Sequence, residues 1–182
     1  MTLKTGRLRL RPLVMADAAR IQELAGAREV ALNTLTIPHP YPDGAAETWI
    51  AAEKEDVVRF GIDDGQLVGV IGLHLNRQDN RAELGYWIGV PFWGRGYATE
   101  AATEVVRYGF EELGLNKIYA GYFSRNPASG NVLRKIGMRH EGTLRQQHRK
   151  WGEYVDVEFY ALTRDEFTSR SSDPGSASRA TS

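Results

Sequence analysis

The sequence predicts a mixed α/β domain of the α+β class, built on a mostly antiparallel sheet flanked by helices. Between residues 57 and 90 three apolar, β-rich segments are separated by polar turns, the pattern of an antiparallel meander. Residues 96–113 then carry apolar side chains at helical spacing and lead into a further β-rich segment, 117–123, which gives one strand–helix–strand crossover. The chain has 182 residues, 42% hydrophobic and 25% charged, enough for one core and too apolar for a disordered polyelectrolyte.

Taken in order, residues 7–13 alternate basic and apolar side chains, as a half-buried strand does. Residues 15–25 switch to helical spacing through Ala18, Ile21, Leu24 and Ala25. Pro38, Pro40 and Pro42 make 36–42 a stiff loop, and Asp43 is placed to cap the helix that carries Ala46, Trp49 and Ile50. Strands follow at 57–62 and 66–75 around Asp63-Asp64-Gly65, and at 82–90. The helix over 96–113 stops at Gly114. After the strand at 117–123 comes a helix over 127–136 closed by Gly137, then two strands within 138–163 around Trp151-Gly152. Seven strands result. Residues 1–168 form the domain, and 169–182, rich in Ser, Arg, Gly, Ala and Thr, read as a disordered tail.

The absence of cysteine excludes disulfide scaffolds, thiolate nucleophiles and iron–sulfur or Cys-rich zinc sites. His39, His74, His140 and His148 have no metal-ligand spacing, so no metal is assigned. Twenty-three basic residues balance 23 acidic ones, which argues against binding nucleic acid by overall charge. No apolar run approaches a spanning helix or a secretion signal, so the expected location is the cytoplasm, without membrane contact.

The sharpest local signal is ELGYWIGVPFWGRGYATE, residues 83–100. An apolar strand ends, a turn containing Gly94-Arg95-Gly96 follows, and a helix starts with small residues. Such a turn exposes main-chain N–H groups at a positive helix terminus and suits phosphate. A tight strand-to-helix turn explains Gly-x-Gly equally well. A dinucleotide fingerprint needs Gly or Ala where Thr99 stands and an acid at the end of the next strand, and a P-loop needs Gly-Lys-Ser/Thr; neither is present.

Here the segment resembles the acetyl-CoA motif of the GNAT acetyltransferase superfamily, Gln/Arg-x-x-Gly-x-Gly/Ala, with Trp93 in the first place and Ala98 in the last. RLRLRPL, IPHPYP, AELGYW, GYATEA and NPASGNVLRKIGMRHEGTLR extend the resemblance over most of the chain, toward the ribosomal-protein alanine N-acetyltransferase branch. It implies a seven-stranded sheet splayed between its fourth strand, 82–90, and its fifth, 117–123. The pantetheine arm of acetyl-CoA would lie in that gap on main-chain groups of Ile88 and Val90, with Gly89 either a bulge that opens the edge or a site of close packing. The diphosphate would sit on the amides of Gly94, Arg95, Gly96, Tyr97, Ala98 and Thr99. Asn126, Ser129 and Asn131 would meet the cofactor from the next helix, and Arg134 its adenosine phosphates.

Strand alternation puts Glu83, Gly85 and Trp87 on one face. Glu83 is the first choice as general base, its pKa raised by apolar surroundings; an acid paired with Arg81 is the plain alternative. The thiolate-protonating Tyr of many relatives is replaced by Leu133, and the resemblance assigns that duty to Ser129, whose commoner use is bonding to the helix backbone. It also places His148 where an acid acts as base in that branch; an exposed histidine without function is the alternative.

The sequence therefore reads as an acetyl-CoA-dependent N-acetyltransferase for a primary amine, either a protein N-terminus or a small molecule. The alternatives are a non-catalytic acyl-CoA-binding sensor or partner module and, more remotely, a nucleic-acid binder using the basic C-terminal half. Self-association as a homodimer is left open.

Overall fold

A computed structural model describes residues 1–52 and 54–171. Among these, eight strands form one sheet: β1 (Leu3–Lys4), β2 (Arg9–Arg11), β3 (Val57–Asp63), β4 (Leu67–Asn76), β5 (Arg81–Ile88), β6 (Lys117–Phe123), β7 (Arg139–Lys150) and β8 (Glu153–Thr163). Their order is β1-β2-β3-β4-β5-β6-β8-β7, antiparallel except for β5 beside β6. The eighth strand arises at the N-terminus. Thr5 N donates to Leu8 O (3.0 Å) and Leu8 N to Thr5 Oγ1 (3.0 Å), which folds residues ahead of the expected strand, 7–13, back along it.

The helices are α1 (Ala18–Ala25), α2 (Arg28–Leu32), α3 (Ala45–Ala51), α4 (Tyr97–Glu111), α5 (Pro127–Lys135) and α6 (Arg164–Ser171). Asp43 does not cap α3: the helix starts after Gly44, at φ 75°, and Asp43 instead accepts a bond from Gln22 Nε2 at 2.8 Å. Five residues are too few for α2 to show a period. The polar helix α6 overturns the disordered reading for residues 169–171, and Phe167 stacks on Phe110 with ring centroids 4.8 Å apart. Residues 172–182 lie outside the described residues.

One core joins α4 and α5 to the sheet through Ala101, Val105 and Phe110, Leu133, and Ile71, Leu73, Leu84 and Ile118. A second, smaller cluster packs Ile21 and Ala25 of α1 and Ala46 of α3 against Leu67. Each fully buried Leu, Ile or Phe in these clusters contributes roughly 1.5–3 kcal/mol. Of the buried charges, Asp17 and Asp63 pair with Arg11 at 2.8 Å and 2.7 Å, tying the segment before α1 to the sheet, while Lys150 donates to the carbonyls of Leu35 and Ile37 at 3.3 Å and 3.2 Å.

The meander β3–β4–β5 pairs along its length with one register shift, between Ile62 and Asp63, but β5 and β6 pair only at Arg81↔Lys117, Ala82↔Ile118 and Glu83↔Tyr119. Beyond that point β5 keeps β4 as its partner, β6 keeps β8, and the two strands part. This is the splay expected between the fourth and fifth strands, shifted by one in number because β1 precedes them.

Candidate active site

On one side of the gap the chain leaves β5 through a 3-10 turn, Val90–Phe92, and enters α4 after Gly94 and Gly96, at φ 75° and 78°. Those values lie in the left-handed region, where a β-branched side chain is strained. No side chain caps α4, and its first main-chain bond runs from Glu100 N to Gly96 O (3.0 Å). Among the described residues, no main-chain amide from Gly94 to Thr99 donates a hydrogen bond. Among the described residues these six N–H groups at the positive end of a 15-residue helix find no acceptor, which is the donor set an anion such as a diphosphate requires.

Arg7 holds this turn from the far N-terminus, a contact no local motif announces. Its Nε donates to Glu100 Oε2 (2.7 Å) and its Nη1 to Arg95 O (3.0 Å), while the guanidinium lies 5.1 Å from the Tyr97 ring centroid. Thr5 Oγ1 donates to the same carboxylate at 2.6 Å. Burial pushes the Glu100 carboxyl up, but the bonds from Thr5 and Arg7 outweigh it and hold the group below its ordinary value.

The other side chains of the turn have their own partners. Arg95 folds back onto Pro91 O (3.1 Å), and Tyr97 donates to Asp64 (2.9 Å). Trp93 Nε1 donates to Ile88 O (2.7 Å) and Trp93 N to Val90 O (3.2 Å), so the carbonyls of both residues expected to meet pantetheine already accept one bond. Gly89 makes no bulge, since the β4–β5 register runs unbroken to Gly69↔Ile88. It is glycine because a Cβ there would collide with Leu24 of α1.

Glu83 sits at the last paired position before the strands separate, opposite His74 and Tyr119. It is exposed, so the apolar surroundings expected for it are absent. Among the described residues no donor pairs with it, and Arg81 pairs with Asp79 instead. Beyond Glu83 and Tyr119 both strands present glycine on that face, Gly85 and Gly121, and a Cβ on Gly85 would meet nothing within 4 Å. On the β5 side the floor is therefore backbone beside a free carboxylate, while on the β6 side Val157 and Phe159 of β8 lie where a Cβ on Gly121 would stand.

Across the gap, Asn126 caps α5: its side chain accepts from Ser129 N at 3.4 Å. Ser129 Oγ lies 2.7 Å from the hydroxyl of Tyr86, a β5 residue absent from the sequence-derived site. Burial pushes the Tyr86 phenol up to about 12, against the lowering effect of its bond to Ser129. Leu133 is buried in the core. Arg134 donates to Asn131 and, at 3.3 Å, to Tyr160 OH, so these two expected cofactor contacts bond to each other. His148 stands edge-on to Phe123 (6.4 Å). Phe123 is four residues beyond Tyr119, roughly 13 Å along the strand, so His148 and Glu83 are not brought together.

A forked sheet with an uncapped, glycine-led helix start beside the fork forms a cleft with an anion-binding end. The model of the acetyltransferase (GNAT) domain matches residues 7–139, and the chain belongs to that family of acetyltransferases. It is 40% identical over 111 residues to the uncharacterized N-acetyltransferase YoaA of Bacillus subtilis, an alignment covering 59% of this chain and 63% of YoaA. It is 31% identical over 176 residues to the uncharacterized N-acetyltransferase p20 of Bacillus licheniformis, covering 91% and 98%. A GNAT-family acetyltransferase crystal structure from Bacillus anthracis superposes with a TM-score of 0.82 at 26% identity, covering 91% of this chain and all of that one. Among the described residues no helix is long and apolar enough to cross a membrane, and no group of three or more His, Asp or Glu side chains could hold a metal.

Proposed function

We propose that the protein transfers the acetyl group of acetyl-CoA to a primary amine, a peptide N-terminus or a small amine. The observation that carries this reading is the run of six unengaged amides from Gly94 to Thr99 at the edge of the parted strands. These amides would take the diphosphate, main-chain groups near Ile88 and Val90 the pantetheine, and Asn126, Ser129, Asn131 and Arg134 the opposite side of the cofactor.

Acetyl-CoA supplies an activated acyl thioester. The amine must be neutral to attack it; a C–N bond forms, the C–S bond breaks, one proton leaves nitrogen and one reaches sulfur. Glu83, free of partners and next to the backbone floor, accepts the nitrogen proton directly or through water. Ser129 hydrogen-bonds the departing sulfur and passes it a proton from solvent. His148 is the second candidate for the base.

The test follows free thiol while the protein is incubated with acetyl-CoA and a panel of amines and peptides, with mass shifts identifying the product. Thiol release that depends on an amine, with a gain of one acetyl group, is the expected result. No release with any amine, or hydrolysis alone, would overturn the reading.

A further inference from the structure

The contact between Tyr86 and Ser129 joins residues 43 apart in sequence and bridges the two elements that bound the gap, β5 and α5. A serine in the first turn of a helix ordinarily spends its hydroxyl on the backbone. Here the side chain of Asn126 caps that turn, and Ser129 Oγ is left to the phenol at 2.7 Å. The close fit of α5 on the sheet allows this, since a Cβ on the neighbouring Gly130 would run into the Tyr122 ring. Tyr86 is anchored in the apolar core, and Leu133, further along α5, is wholly inside it.

We propose that Tyr86 is a positioning residue for Ser129: its phenol donates to Ser129 Oγ and so leaves the serine's own hydrogen directed into the gap, toward the sulfur that departs. The inference rests on the role given to Ser129 under Proposed function. Either hydroxyl can donate across the 2.7 Å contact; we take Tyr86 as the donor because Ser129 Oγ is the nearer of its two acceptors, Ser129 O lying at 3.4 Å. A hydroxyl that accepts one hydrogen bond becomes a better donor of the next. Burial keeps the phenol protonated through the whole neutral range, so it acts as a constant donor and does not give up its proton during turnover.

The experiment is a double-mutant cycle on the full chain, with steady-state rates for acetyl-CoA and an active amine. Tyr86→Phe keeps the ring and its packing while removing the donor; it should lower kcat about 10-fold, the weight of one hydrogen bond, with KM for acetyl-CoA unchanged. Ser129→Ala should lower kcat by at least as much, and the double variant should be no slower than Ser129→Ala. If Ser129→Ala turns over like wild type, the role of Ser129 fails and the inference with it. If Ser129→Ala is slow while Tyr86→Phe is normal, or if the two defects multiply, only the inference falls. Fluorinated tyrosine at position 86, whose phenol ionises more readily, gives a further readout: an alkaline loss of kcat absent from wild type supports the donor role, and an unchanged pH profile overturns it.

Discussion

The two banks of the gap are built from different material. On the α4 side the candidate site is main chain, six consecutive amides presented by two left-handed glycines within one short segment. On the α5 side it is side chain, with hydroxyls from β5 and α5 meeting over 43 residues of sequence. Main-chain donors need only backbone conformation, so any residue without an obstructing Cβ serves. Side-chain donors need a particular neighbour, and that neighbour is fixed by tertiary packing. The first bank should therefore fail gradually and mainly in affinity, the second and the carboxylate between them in rate.

The largest effect is expected at Glu83. Glu83→Gln should lower kcat by ~100-fold or more while leaving acetyl-CoA affinity intact, measured by turnover beside calorimetry. A normal rate would move the base to His148 or to water. On the main-chain bank, Gly96→Val places a β-branched residue at φ 78°, a strain of about 1–3 kcal/mol. It should weaken acetyl-CoA binding by roughly 10- to 100-fold with little change in kcat, and equal affinity would contradict the placement of the diphosphate. Arg7→Ala removes the brace rather than the donors and should cost a smaller, roughly 3- to 10-fold loss of affinity.

The smallest effect is one of pH. Glu100 is held below its ordinary value in the fold, so its bonds to Thr5 and Arg7 stabilise the protein above the unfolded carboxyl's pKa, and this contribution disappears as pH falls through the lower folded one. The difference in melting temperature between wild type and Glu100→Gln should accordingly be present at pH 7 and shrink as the solution is acidified into that window. A difference that stays constant with pH would show that the carboxylate's charge is not what matters.

Legibility in the sequence follows the same division. The glycine turn, the long helix behind it and the crossover strand could be read locally, since apolar spacing and left-handed glycines leave their mark on adjacent residues. The splay could not be derived from periodicity; it entered with the family resemblance and is seen where β5–β6 pairing stops at Glu83↔Tyr119. Gly89 leaves a bulge and close packing both open, because a strand glycine does not disclose whether it bends the strand or admits a neighbour, and here the neighbour is Leu24. Alternation puts Tyr86 on the face opposite Glu83 and nothing more, since it fixes the side of a strand but not what its hydroxyl meets. Arg7 was hidden likewise: its partners at Arg95 and Glu100 lie 88 and 93 residues away.

The forked sheet also bears on how long the protein survives. Past Tyr119 two neighbouring strands forgo the ladder they would otherwise share, and a molecule that lies between them supplies pairing which the empty fold lacks. At a hundred times its dissociation constant such a molecule adds about 2.7 kcal/mol to the unfolding free energy. With acetyl-CoA in that place, resistance to heat and proteolysis would rise and fall with the concentration of the metabolite, so that a starved cell would hold a more fragile copy of the same chain than a well-fed one.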